Sequence, residues 1–201
     1  VHVQYLRYMA NILQGNFGLS YHYGTSALPI VLERLPATLL LTAGALTVAV
    51  TIAVPAGILA ALRPNTSIDF ALSGAAVLGK AMPNFWVGIM LILIFGVHLR
   101  LLPVSGSGSL AHLVLPAVTL GTAFAGDLAK LVRASLLETL GQDYIRTARA
   151  KGIPDHVVVL KHALRNAAIP AVTMTSLNVI GLLGGALITE TVFAWPGLGL
   201  L

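Results

Sequence analysis

The sequence predicts an all-α integral membrane protein, a multi-pass helical bundle, on three grounds. Of its 201 residues, 57% are hydrophobic and only 9% are charged, whereas an average soluble protein carries about 25% charged residues. Residues 37–62 run for 26 positions without a charge. That is more than the roughly 20 needed to cross a hydrocarbon core, so this span is expected to tilt. Further apolar runs at 70–99, 113–132 and 169–188 are separated by turn-rich or charged connections, which makes four spans.

Residues 1–36 form a mixed segment, with the turn-rich run GNFGLSYHYGTS at 15–26 and a short amphipathic stretch ending in Glu33 and Arg34. Its aromatics, Tyr5, Tyr8, Phe17, Tyr21 and Tyr23, fit either the membrane interface, where amphipathic rings settle, or an ordinary solvated loop. In the first span Pro55 and Gly57 are placed to kink or thin the helix. RPNTSID then makes a turn in which Thr66 can cap a helix, with Asp69 three residues on in a capping-box-like arrangement. Residues 70–99 are too long for one straight crossing and contain Lys80 and Pro83, so one tilted or broken helix is expected, densest over 85–97. Lys80 is costly in hydrocarbon and must snorkel, pair or face a watery interior. A Gly/Ser/Pro loop at 98–112 leads to the third span, where Asp127 and Lys130 lie three apart and can meet on one helix face. The fourth span is rich in glycine at 181, 184 and 185, and small residues let membrane helices approach closely. Trp195, Pro196 and Gly197 then break the helix.

Four crossings put both ends on one side. Arg7, Arg34 and Arg100 fall on that side, against Arg63, Arg133, Arg146, Arg149, Lys151, Lys161 and Arg165 on the other. The positive-inside rule makes the second group cytoplasmic and residues 1–36 extracytoplasmic. This distribution accounts for the net charge of +5 without nucleic acid as a partner. The absence of cysteine excludes disulfides and thiolate metal sites. No phosphate-binding loop and no H-E-x-x-H motif occurs. The serines at 105, 107 and 109 lie in a Gly/Ser loop rather than a nucleophile elbow, and His98 and His112 read as polar surface. Hence no catalytic residue, metal site or cofactor is expected. The chain opens without an initiator Met or an apolar signal core, and reads as a fragment.

The most informative stretch is DYIRTARAKGIPDHVVVLKHALR at 143–165, a charged island between apolar runs with seven of the chain's 12 basic and 7 acidic residues. Gly141 can close the preceding helix, and Asp143 is placed to cap a short helix over 144–151 that Gly152 ends. Pro154 suits the first position of a second short helix, whose ends Asp155 and then Lys161, His162 and Arg165 would complement electrostatically. Val157, Val158, Val159 and Leu160 are consecutively apolar and need something to bury them, either the protein's own helix ends or another subunit.

The island resembles the coupling loop of importer-type ABC transporter permeases. That motif reads Glu-Ala-Ala, three residues, Gly, nine residues, then Ile-x-Leu-Pro. Anchored on Gly152, it falls on Arg146, Thr147 and Ala148 and then on 162–165, with Ala148, Gly152 and Leu164 matching. The departures, RTARAKG and HALRNAAIP, are similar to the branch that imports dipeptides, oligopeptides, nickel and glutathione. NILQGNFGLS, ERLPATLLL and GGALITETVFAWPGLG at 184–199 agree. The resemblance implies a permease of the type I importer kind with six helices, so that one span before Val1 and one after Leu201 are expected. It implies a permease domain over 37–201 with a cytoplasmic coupling loop at 134–168, in the bacterial cytoplasmic membrane. Its partners would be a second homologous permease subunit, two cytoplasmic ATP-binding subunits that hydrolyse the ATP, an extracytoplasmic solute-binding protein and the lipid bilayer. Within the loop, Gly152 would supply the bend and Pro154, Val157 and Leu160 would belong to the docking helix. Asp143, Arg146, Thr147, Ala148, Arg149 and Lys151 would complete the ATPase-coupling surface, though Arg146 in place of the motif's Glu leaves its charge partner open.

Two other readings compete. A secondary transporter or channel would draw on Lys80, Asp127 and Lys130 as a translocation path, but would be expected to show inverted repeats, and no convincing repeat occurs. A passive membrane scaffold would also explain a docking island.

Overall fold

The structure, a computed structural model, describes residues 2–20 and 23–201 apart from the side chains at 183 and 185. Tyr21 and the packing of Gly185 therefore lie outside the described residues. Helix α1 (His2–Leu13) stands apart from the bundle, and none of its residues is buried. Tyr5, Tyr8, Phe17 and Tyr23 are all exposed, as either a membrane interface or water would allow.

Helix α2 runs unbroken from Ala27 to Leu62. It absorbs the stretch through Glu33 and Arg34, because Pro29 falls in the first turn, where its missing N–H costs nothing. Pro36 and Pro55 lie inside it without ending it. Thr66 then caps α3 (Ser67–Ala81) as its spacing predicts, its hydroxyl oxygen accepting from the Asp69 N–H at 3.5 Å. Helix α4 (Asn84–Leu91) widens into π turns at Ile92–His98. Helices α3 and α4 meet at 100°, so residues 70–99 are broken rather than merely tilted. The break falls at Met82, which is held extended (φ −80°, ψ 129°) because the Pro83 ring disfavours helix at the residue before it.

The remainder comprises α5 (Leu110–Leu140), α6 (Asp143–Ala150), α7 (Asp155–Val157) and α8 (Leu164–Phe193). Here the structure corrects an expectation. The second helix of the island is not a separate short helix: α7 passes through π turns at Val158–Ala163 directly into α8. By length and composition α2 and α5 can each cross a membrane, and the count rises to four if α3 with α4, and α8 with its 55° bend between Leu182 and Ala186, are each one span.

Helices α2 and α5 run parallel and α8 antiparallel to both, in three apolar clusters along the bundle. At the island end Ala61 and Leu136 meet Ala163 and Ala167. Midway Ala49 and Ala53 meet Ala125, Leu128 and Ala171, and at the far end Leu41 and Ala45 meet Leu120, Leu182 and Ala186. The bundle is tight because α2 and α5 touch through glycine. A Cβ on Gly121 would sit 2.6 Å from the Ala45 carbonyl oxygen, and one on Gly57 2.7 Å from that of Ala129. By contrast Gly181 and Gly184 have nothing within 4 Å, so the glycines that close this bundle are not those of the fourth span. Gly121→Ala is expected to destabilise by about 1–3 kcal/mol through overpacking. Gly74→Ala, where a Cβ meets nothing within 4 Å, should not; thermal unfolding of the two purified variants in detergent separates the cases.

Candidate functional site

The island is a folded platform at one end of the bundle. Gly141 ends α5, its N–H donating to the Glu138 carbonyl at 3.2 Å. Asp143 is not the cap of α6. Gln142 takes that extended position and makes no side-chain cap bond, and Asp143 is the first helical residue. Its carboxylate still complements the helix N-terminus and lies 3.5 Å from Arg146, both side chains standing in solvent. The Thr147 hydroxyl donates back to the Asp143 carbonyl at 3.0 Å.

Ile145 and Ala148, three apart on one face of α6, are buried, and they anchor the helix to the ends of α2, α5 and α8. The turn that follows is a Schellman motif. Ile153 N–H donates to the Ala148 carbonyl at 3.3 Å and Gly152 N–H to the Arg149 carbonyl at 2.9 Å, while Gly152 takes φ +75°. Glycine fits because this left-handed conformation crowds a Cβ against the backbone. Ile153 then packs against the same buried cluster, completing the motif's apolar contact.

Beyond the bend Pro154 is the cap of α7, one position earlier than its sequence suggests. Its carbonyl accepts from Val157 N–H at 2.9 Å and Val158 N–H at 3.1 Å. Arg149 Nε reaches back across the bend to Asp155 Oδ1 at 2.9 Å. Both side chains are well exposed, so this pair orients the turn more than it stabilises it, contributing about 0–1 kcal/mol. The apolar run divides. Val158 and Val159 are buried and Val157 is half-buried, but Leu160 is 60% exposed. With Tyr144, Arg146 and Lys151, also exposed, Leu160 makes up the outer face of the platform.

Charged residues nearer the membrane form two ion pairs. Lys80 Nζ bonds both carboxylate oxygens of Asp127, at 2.7 and 3.0 Å. Asp127 thus turns to α3 instead of to Lys130 on its own helix, and the three residues do not converge. The second pair was not apparent from the sequence. Arg133 Nε and Nη2 each bond one carboxylate oxygen of Asp69 at 2.6 Å, and Asn65 N–H adds a bond at 2.9 Å. This fork clips the start of α3 to α5 about two turns before the platform. The signal available in sequence was only an acid and a base near the ends of two apolar runs, 64 positions apart.

The comparisons with known proteins agree with this architecture. A family model described as "Binding-protein-dependent transport system inner membrane component" matches residues 53–201. The oligopeptide transport system permease protein AppB of Bacillus subtilis is 41% identical over 98% of this chain and 66% of its own length. The dipeptide transport system permease protein DppB of Escherichia coli strain K12 is 40% identical over 98% and 67%. The glutathione transport system permease protein GsiC of the same strain is 44% identical over 98% and 64%. The chain thus spans about two thirds of the length of these relatives. A solved amino acid ABC transporter, crystallised with histidines, shares the fold with a TM-score of 0.64 at 16% identity, over 85% of this chain and 75% of that one. With 149 of its 201 residues inside the matching model, this chain belongs to the family of binding-protein-dependent transport system inner membrane components.

Proposed function

We propose that this chain is a permease subunit of an ATP-driven importer for peptides or a related small solute such as a dipeptide, oligopeptide, nickel or glutathione. It forms half of the translocation path in a bacterial cytoplasmic membrane, pairs with a second homologous permease, and receives solute from an extracytoplasmic binding protein. ATP is hydrolysed on two separate cytoplasmic subunits. The observation that carries the reading is the platform: a buried anchor (Ile145, Ala148, Val158) beneath an exposed face (Tyr144, Arg146, Lys151, Leu160), hinged at Gly152 and continuous with α8. A movement imposed on α7 therefore enters α8, which bends by 55° between Leu182 and Ala186 before it reaches the far end of the bundle. The names of the relatives support the solute class. The secondary-transporter reading would draw on Lys80, Asp127 and Lys130, of which Lys80 and Asp127 pair with each other. Reconstitution of the whole complex in liposomes tests the proposal: uptake should require ATP, the ATP-binding subunits and the binding protein together. Gradient-driven flux without them would contradict it.

A further inference from the structure

Glu190 is the one acidic residue after Asp155, and its side chain is completely buried near the end of α8 opposite the platform. Burying a carboxyl group is costly unless it is hydrogen-bonded, and here both oxygens are used. The Thr38 hydroxyl of α2 donates to one at 2.7 Å, and the Gly199 N–H donates to the other at 2.6 Å. The Thr38 hydroxyl oxygen in turn accepts from Leu198 N–H at 2.8 Å. The chain can return to the carboxylate because Ala194 takes a left-handed turn at φ +47° and Trp195 N–H closes on the Glu190 carbonyl at 2.8 Å. Trp195 Nε1 donates to the Ala37 carbonyl at 2.9 Å. A Cβ on Gly197 would collide with the Glu190 carboxylate, so the turn is shaped around this side chain. The Glu190 side chain thus fastens α2 about three turns from its start, the end of α8 and the 195–199 turn to one another.

We propose that Glu190 is a positioning residue of the transport cycle: its clasp on Thr38 and Gly199 makes the outer ends of α2 and α8 move as one. Displacement of the platform then reaches the extracytoplasmic mouth. Without the clasp the two helices keep the Trp195–Ala37 bond and the apolar contacts of Leu41 and Ala45 with Leu182 and Ala186, and α2 would follow α8 less closely. The proposal rests on the importer reading above, and it adds a site on the face opposite the ATPase. A built-in control exists one turn along α2. Thr42 is buried like Thr38, at 3% against 1% exposed, yet its hydroxyl has no partner among the described residues.

The test compares Glu190→Gln, Thr38→Val, their double variant, Thr38→Ser and Thr42→Val in the whole reconstituted transporter. Solute uptake is normalised to assembled complex, with basal ATP hydrolysis read alongside. Glu190→Gln and Thr38→Val should each lower uptake per complex about tenfold, the scale of one hydrogen bond, with basal hydrolysis retained. The double variant should be no worse than the single ones, because both break the same clasp. Thr38→Ser and Thr42→Val should transport as the wild type does. Undiminished uptake per complex in both Glu190→Gln and Thr38→Val would overturn the proposal, as would an equal loss in Thr42→Val. A fall in assembled complex with normal uptake by what remains would also overturn it, since the clasp would then be merely structural. Absence of ATP-dependent uptake in the wild type would instead overturn the importer reading, and this proposal with it.

Discussion

Gly152→Val should abolish coupled uptake while leaving the subunit in the membrane. A Cβ at this position has nothing within 4 Å, so the effect is conformational rather than steric. An L-residue held in the left-handed region costs about 1–2 kcal/mol, and a β-branched one more. The strain has an easy exit. If residue 152 returns to a right-handed conformation, the two Schellman bonds break, Ile153 leaves its cluster and α7 points elsewhere, while α2, α5 and the length of α8 are untouched. Asparagine tolerates this conformation better than other non-glycine residues, so uptake should rank Gly, then Asn, then Ala, then Val. Co-purification of the ATP-binding subunits with each variant, beside uptake per complex, checks the order. Equal uptake by Gly152→Val and the wild type would show that the bend is dispensable.

The second large effect is expected at the Asp69–Arg133 fork. Removing one partner of a buried ion pair costs about 3–5 kcal/mol because the other charge is left uncompensated. The two ends are not equivalent, since the Asp69 side chain is 4% exposed and that of Arg133 28%. Arg133→Met strands the buried carboxylate with only Asn65 N–H and the Ser73 hydroxyl, and should lie within that range. Asp69→Asn leaves a neutral acceptor and lets Arg133 lean toward water, so it should cost less. The double variant Asp69→Leu with Arg133→Met, apolar on both sides, should recover most of the loss. Thermal unfolding of the purified subunit complex gives the ranking, and a double variant less stable than Arg133→Met would mean that the fork itself is what holds α3.

What could be read from the sequence was local. The Thr66 cap, the close at Gly141, the break before Pro83 and the left-handed bend at Gly152 each depend on residues within a few positions, where backbone sterics and capping chemistry decide. The same rules misplaced Asp143 and Pro154 by one residue each, because Gln142 and Pro154 can take the extended cap conformation without a capping side chain. The continuity of α7 with α8 escaped because Lys161, His162 and Arg165 resemble a helix end. Burial of Val158, Val159 and Ala163 instead carries the helix through that polar patch. What could not be read was the set of long-range choices. Asp127 had Lys130 three residues away, but tertiary packing gave it Lys80, 47 positions distant. Glu190 and Thr38 are separated by 152 positions, and only the folded bundle brings them together. Of the candidate surface, the bend at Gly152 was legible, while the buried Ile145, Val158 and Val159 were not distinguished from Leu160 and the other residues that face outward.

The central claim is that the exposed side of the platform meets a cytoplasmic ATP-binding subunit, and Leu160 tests it most directly. The chain contains no cysteine, so Leu160→Cys supplies it with one attachment point for a photoreactive label, introduced before the labelled subunit is assembled with its partners. Label transfer to the ATP-binding subunit is the predicted result, with none from Leu177→Cys, an equally exposed position on α8. Transfer from Leu160→Cys to lipid alone, in a complex that still takes up solute with ATP, would contradict the account.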